Sequence, residues 1–292
     1  KVSLMARLIE IPDLGKEWED KLIISLMVLE ANYKNDDIMP LLRPELMIKQ
    51  KRLSDAEARL EEIIAVNPEN YYAWEKLLIV YLRLKDYEKL FIRGQECATK
   101  FNGSFVAKVL YANGALESGK YSVAVEELRK AEILAGENKE FLVQVLTMRA
   151  DVYYRMKEFL KAFETFETAL KTDNDDLTVI NNYAYYLAEQ NKNLKEAEEM
   201  ARRVIEKEKG NTTFLDTYGW VLYKRGKLNE AARIMESIIT SGESPDPVWY
   251  EHYGYILRKQ RKCKEAVEKW NIALKLDASK TELIKEIEDC GK

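Results

Sequence analysis

Apolar residues recur along this chain at i, i+3, i+4 and i+7, the spacing of one face of an α-helix. Leu215, Tyr218, Gly219 and Leu222 form one such stripe. Gly226 interrupts it, and Ala231, Met235 and Ile238 mark a second helix over 229–240. Two antiparallel helices joined by a short turn make a helical hairpin. The next segment repeats the arrangement with Tyr250, Tyr253, Gly254 and Leu257, then Ala266, Trp270 and Ala273. Asp246 and Pro247 supply its cap and first helical position. Upstream come Ile180, Tyr183, Ala184 and Leu187, then Ala197, Ala201 and Val204. Before them come Leu146, Ala150 and Tyr153, then Phe159, Ala162, Phe166 and Ala169, with Arg149 at a position that is apolar elsewhere. Tyr111, Ala112 and Ala115 open a fifth unit, followed by Tyr121, Ala124, Leu128 and Ala131.

Each of the five hairpins carries a small residue and, about twelve positions later, an alanine: Ala112/Ala124, Ala150/Ala162, Ala184/Ala197, Gly219/Ala231 and Gly254/Ala266. The small residues step by 38, 34, 35 and 35. Self-similarity at this period predicts an array of stacked hairpins. Two weaker units precede it. Segment 71–104 has Trp74, Leu77, Tyr81, Tyr87 and Cys97 in phase, but Leu78, Leu90 and Gly94 fill its small positions. In segment 37–70, Pro40 and Pro44 should shorten or tilt the first helix. Ser54-Asp55-Ala56-Glu57 reads as a capping box at the start of its second. Residues 17–31 read as one more helix. Residues 281–289, with Leu283, Ile284 and Ile287 on one side and charge around the rest, read as a terminal cap. The expected organisation is an N-terminal helical segment (1–36), two degenerate repeats (37–104), five clear repeats (105–280) and a capping helix (281–292), in one continuous solenoid.

The phased positions resemble the tetratricopeptide signature, W-x2-L-G-x2-Y followed by A-x3-F, A and P. Leu215-x2-Tyr218-Gly219-x2-Leu222 with Ala231-x3-Met235 matches it, as does Tyr250-x2-Tyr253-Gly254-x2-Leu257 with Ala266-x3-Trp270 and Ala273. Trp74, Tyr87 and Pro68 add to the match. The resemblance covers roughly 37–290, and the stretches LDTYGWVLYKRGKLNEA and YGYILRKQRKCKEAVEKW look like bacterial members. It implies an all-α, right-handed superhelical solenoid in which the first helices line a concave groove.

Composition narrows the function. The 292 residues hold 46 Lys and Arg against 50 Asp and Glu, a net charge of −4. Binders of nucleic acid show basic patches, so charge supplies no case for such a partner. No apolar run approaches the ~18 residues of a membrane span. Cys97, Cys263 and Cys290 are odd in number and far apart in sequence. They predict neither a disulfide framework nor a metal site, and no cofactor motif accompanies them. The chain starts at Lys1, so a signal, anchor or further repeats upstream is an expectation. By family analogy a cell-envelope location is favoured over the cytoplasm.

Catalytic chemistry is not legible. The single histidine, His252, has no nucleophile motif with it and reads as a surface or groove residue. The acidic clusters Asn35-Asp36-Asp37 and Asp173-Asn174-Asp175-Asp176 read as turn and cap chemistry. The presumed groove is more informative. Asn181/Tyr185, Asp216/Trp220 and Glu251/Tyr255 are i, i+4 pairs on one helix face, with Tyr223 and Arg258 three positions further along. Aromatics beside polar groups suit peptide anchoring; the competing reading is packing between repeats. A carboxylate clamp for a peptide C-terminus needs Lys or Arg early in the groove. Glu75, Val109, Thr147, Asn181, Asp216 and Glu251 stand there instead. The expectation is a non-enzymatic scaffold for a protein or peptide, without nucleic acid, metal or cofactor. The alternative is the regulatory or targeting arm of a larger enzyme or envelope complex. Self-association through the degenerate N-terminal units is also expected.

Ala112, Ala150, Ala184, Gly219 and Gly254 are read as structural positions where helices approach closely. Gly219→Leu is expected to cost about 1–3 kcal/mol, lowering Tm while helix content at low temperature stays the same. Circular dichroism melting checks this, and an unchanged Tm removes the packing role.

Overall fold

The computed structural model describes residues 2–11, 15–33 and 36–291, with the side chain of Val2 excepted. Asn35 therefore lies outside the described residues. The described residues form helices and turns without a strand, an all-α helical solenoid of consecutive hairpins. They divide into two compact units, Lys1–Thr165 and Phe166–Lys292, and the division falls within a helix.

The first unit runs α1 (Val2–Glu10), α2 (Lys16–Asn32), a 3-10 turn (Met39–Leu41), α3 (Leu42–Lys49), α4 (Leu53–Val66), α5 (Tyr71–Leu84), α6 (Tyr87–Lys100), α7 (Phe105–Glu117), α8 (Tyr121–Ala135) and α9 (Lys139–Arg155). α10 (Phe159–Thr172) carries the division. The second unit continues with α11 (Leu177–Glu189), α12 (Leu194–Lys207), α13 (Thr212–Lys224), α14 (Leu228–Ile239), α15 (Pro247–Lys259), α16 (Cys263–Leu276) and α17 (Glu282–Cys290). The two prolines shorten the first helix of segment 37–70 to the eight residues of α3, behind the 3-10 turn that holds Pro40.

The hairpins from α5 onward start the same way. The first helices α5, α7, α9, α11, α13 and α15 start on Asn70, Ser104, Asn138, Asp176, Asn211 and Asp246. Each of these side chains accepts a hydrogen bond from a first-turn backbone N–H. Such a bond satisfies a donor that the helix leaves without a partner. The turn to the second helix passes through a left-handed residue: Lys51, Lys85, Gly119, Lys157, Asn191, Gly226 or Arg261, with φ between +50° and +76°. The following N–H then bonds back to the last turn of the first helix, from Arg52 to Met47 O, Lys227 to Leu222 O and Lys262 to Leu257 O, at 2.9 Å each. This is the Schellman closure of a helix C-terminus. It recurs in the degenerate repeats as faithfully as in the clear ones.

The same turn corrects the capping-box expectation. Because the chain re-enters a helix straight after Lys51, α4 begins at Leu53 with Arg52 at its N-cap. Ser54 then falls inside the first turn and caps nothing. Arg52 Nε bonds the Asp55 carboxylate at 2.7 Å instead.

Side-chain volume sets the helix spacing. Ala112, Ala150 and Ala184 and the partner alanines Ala124, Ala162, Ala197, Ala231 and Ala266 are at most 1% exposed. A Cβ on Gly254 would sit 2.2 Å from Trp270 Nε1, and one on Gly219 2.9 Å from Met235 Sδ. In the degenerate repeats the close approach moves to the α6–α7 junction. A Cβ on Gly114 would lie 2.6 Å from Phe91 N and 2.9 Å from Leu90 C, and one on Gly94 3.0 Å from Tyr111 Cα. Segment 71–104 thus accommodates Leu78 and Leu90 at its small positions, both fully buried, and supplies its glycine contact one helix later.

Polar bonds link consecutive repeats near the same period. Lys89 reaches Glu57 at 2.8 Å, Arg93 reaches Glu61 at 2.6 Å and Lys120 reaches Glu88 at 2.9 Å. Arg149, the odd residue of its stripe, pairs with Glu132. Asp175 takes Lys207 at 3.0 Å and also pairs with Arg203, while Asp176 caps α11, so that acidic cluster is turn and cap chemistry.

Gly114→Ala is expected to cost at least about 1–3 kcal/mol, because backbone atoms cannot swing away from the new methyl. Gly219→Ala should cost less, since the Met235 thioether is flexible. Urea midpoints of the two variants give the comparison, and equal losses would contradict the assignment.

Candidate functional site

Helices α11, α13 and α15 lie side by side in the second unit and carry all eight residues of the expected groove. Three are interior: Asn181 is 4% exposed, and Asp216 and Trp220 7% each. Tyr185, Tyr223, Glu251, Tyr255 and Arg258 are half-buried.

Trp220 is held from several sides. Its Nε1–H donates to Glu189 Oε1 at 2.8 Å, one repeat back. Its ring stacks on His252 at 4.0 Å, one repeat forward, and on Tyr223 at 4.8 Å. Lys224 Nζ lies 4.8 Å over the ring and also pairs with Glu189 at 3.1 Å. The indole therefore joins three consecutive first helices. Removing it would open a large cavity, which places Trp220 in the packing between repeats.

His252 is the residue that spacing did not single out. It is 4% exposed, so it is an interior residue of this face and not a surface one. Its Nδ1 lies 2.9 and 3.1 Å from the two carboxylate oxygens of Asp216. A carboxylate only accepts, so Nδ1 carries the proton. Asp216 and His252 are 36 positions apart, about one repeat, which is the one signal in the sequence that could have paired them. Tyr185 approaches the same imidazole from α11, ring to ring at 6.3 Å.

The C-terminal end of the face is also paired. Glu251 meets Lys280, and Trp270 Nε1 donates to the Glu251 backbone oxygen at 3.2 Å. Arg258 meets Glu286 on α17. Tyr255 lies edge-on to Trp270 at 5.4 Å. Burial raises the phenols of Tyr223 and Tyr255 above their usual range, so both remain hydrogen-bond donors at neutral pH. Asn181 keeps one loose contact, to Asn182 Oδ1 at 3.3 Å, and its own Oδ1 is buried without a partner.

Among the described residues no group of three or more His, Cys, Asp or Glu is placed to hold a metal, and no helix is long and apolar enough to cross a membrane. Cys97 is fully buried, and desolvation pushes its thiol up to about 12, too high for a reactive thiolate. Cys263 and Cys290 overturn the expectation from their sequence distance. They form a disulfide, with Cα atoms 5.3 Å apart. The first residue of α16 and the last of α17 meet because those helices are antiparallel, whatever the chain length between them.

A tetratricopeptide-repeat family model matches residues 48–89. Among solved structures, a tetratricopeptide repeat protein from Parabacteroides merdae is similar over 86% of this chain and 96% of its own, at 17% identity and a TM-score of 0.69. Yeast Tom70 is similar over 94% of this chain and 59% of its own, at 15% identity and a TM-score of 0.63. The human IFIT1 dimer with m7Gppp-AAAA is similar over 94% and 66%, at 16% identity and a TM-score of 0.65. No curated protein matches the sequence. The chain has the tetratricopeptide-repeat fold.

The electrostatics of α13 can be tested directly. Glu198 on α12 accepts from Arg225 at 2.7 Å and Lys227 at 2.9 Å, in the turn that ends α13. Burial alone would raise its carboxyl. The hydrogen bond from Lys227, with the fields of Arg225, Lys227 and Arg202, outweighs it and holds the group below the usual carboxylate range. A depressed carboxyl contributes stability above its unfolded pKa of about 4.3, and that contribution is lost as pH falls through the folded value. Glu198→Gln should therefore be less stable at pH 7 and lose less stability on acidification below about pH 4. Parallel midpoint-against-pH curves for the two proteins would rule this out.

Proposed function

We propose that the second unit binds an extended peptide segment of a partner protein across α11, α13 and α15, and that the chain acts as a non-enzymatic scaffold. The observation that carries this reading is a row of half-exposed phenols, Tyr185, Tyr223 and Tyr255, standing on a floor that is already immobilised. Asn181, Asp216, Trp220 and His252 form that floor. Tyrosine presents a large apolar face and a hydroxyl while losing few rotamers, which makes it an efficient anchor. A floor stacked and hydrogen-bonded before binding lowers the ordering cost of association.

The charges refine the ligand. Glu251 and Arg258 are each engaged by an opposite charge on or beside α17, and Glu189 is shared by Trp220 and Lys224. The basic side chains on this face that are described, Lys224 and Arg258, are already paired with Glu189 and Glu286. The segment is therefore read through aromatic and hydrogen-bond contacts more than through net charge. The chain's −4 charge supports a protein partner over a polyanion, whereas the human IFIT1 dimer is seen with m7Gppp-AAAA.

An array of synthetic random peptides, probed with the intact chain, tests the reading. The Tyr223→Ala/Tyr255→Ala double variant is expected to keep its Tm within a few degrees and to weaken the selected peptides by at least ~10-fold, about 1.4 kcal/mol. Trp220→Ala is expected to lower Tm. Peptide binding retained by the double variant, or none by the parent chain, would dismiss this face as the binding surface.

A further inference from the structure

α17 buries little of its own surface against the last hairpin. Of its nine residues only Leu283 is fully buried, with Ile287 and Cys290 packed partly against the same cluster. Ile284 is 48% exposed. Two ion pairs add to this, Arg258 with Glu286 and Glu251 with Lys280, and both draw on side chains of the α15 face. A helix this short is marginal without tertiary support. A further attachment is covalent, from Cys263 at the start of α16 to Cys290 at the end of α17. Both cysteines are half-buried, in contrast to the fully buried Cys97.

We propose that Cys263 and Cys290 form a redox lock on α17. Oxidised, the bond pins the far end of the helix and leaves only the turn between α16 and α17 free to flex. A dithiol reductant opens it by exchange. One thiolate attacks a sulfur of the protein disulfide, the S–S bond breaks and a mixed disulfide forms. The second thiolate resolves it. Two electrons and two protons pass to the protein, which holds two thiols, and the reductant leaves as its disulfide. α17 then opens locally, with Glu251 and Arg258 released from Lys280 and Glu286. The end of the α15 face thus has a covered state and an open state, selected by redox conditions. The lock does not depend on the peptide-binding proposal, because it is read on α17 itself.

Hydrogen exchange of the intact chain tests it, comparing the oxidised protein, the protein in excess dithiothreitol, and the Cys263→Ser/Cys290→Ser variant. Amides of residues 282–290 are expected to exchange at least ~10-fold faster in the last two samples than in the first, with α13 amides unchanged. The Ser variant should not respond to dithiothreitol. Equal protection of α17 in oxidised and reduced protein overturns the proposal. So does faster exchange throughout α13, which would make the bond a general stabiliser of the unit. Alkylation after denaturation without reductant should find one thiol per chain, Cys97, and three would show that the bond does not form.

Discussion

A helical hairpin of this chain cannot bury its apolar face alone, and everything else in the structure follows from how closely the next helix can approach. Where the residue at the crossing is alanine or glycine, backbones come near enough for large side chains to pack around the contact. Gly254 against Trp270 is the clearest case in the second unit, because the indole fills the space that a Cβ would take. In the first unit Gly114 admits the backbone of Phe91 itself. Such contacts are local in sequence, so stability accumulates from one neighbour to the next.

Close approach brings the polar tethers within range. Bonds such as Glu57–Lys89, Glu61–Arg93 and Glu198–Lys227 join side chains roughly one repeat apart. Singly, exposed pairs contribute little. Repeated at the period, they fix the register of one hairpin on the next. The face of α11, α13 and α15 is a variation on this theme. There the tethers are aromatic and partly buried, with Asp216 on His252 and Trp220 on Glu189. The residues that set the register are therefore neighbours, on the same helices, of the tyrosines proposed to meet a ligand.

The helical stripes, the cap Asp246 and the helix over 281–289 were legible because each depends on residues within one or two turns of one another. The turn chemistry was harder to see. A left-handed position recurs in seven hairpins, yet only Gly119 and Gly226 announce it; Lys51, Lys85, Lys157, Asn191 and Arg261 take the same φ under constraint from the helices they join. A non-glycine residue there costs about 1–2 kcal/mol, which packing on both sides overrides. The same turn displaced the capping box at Ser54. In the candidate site, spacing put Asn181, Asp216 and Trp220 on one helix face with the tyrosines, but spacing does not say which members of a face the next helix covers.

Periodicity thus dictates that the chain folds into stacked helical hairpins and which face of each helix turns toward its neighbour, since both follow from a rotation of about 100° per residue. Contacts between residues far apart in the chain come from a different source. The burial of Trp220, the pairing of His252 with Asp216, and the bond between Cys263 and Cys290 all depend on the distance and angle at which one helix crosses the next. Those are set by side-chain volumes on two helices at once, a quantity that no single stretch of sequence contains.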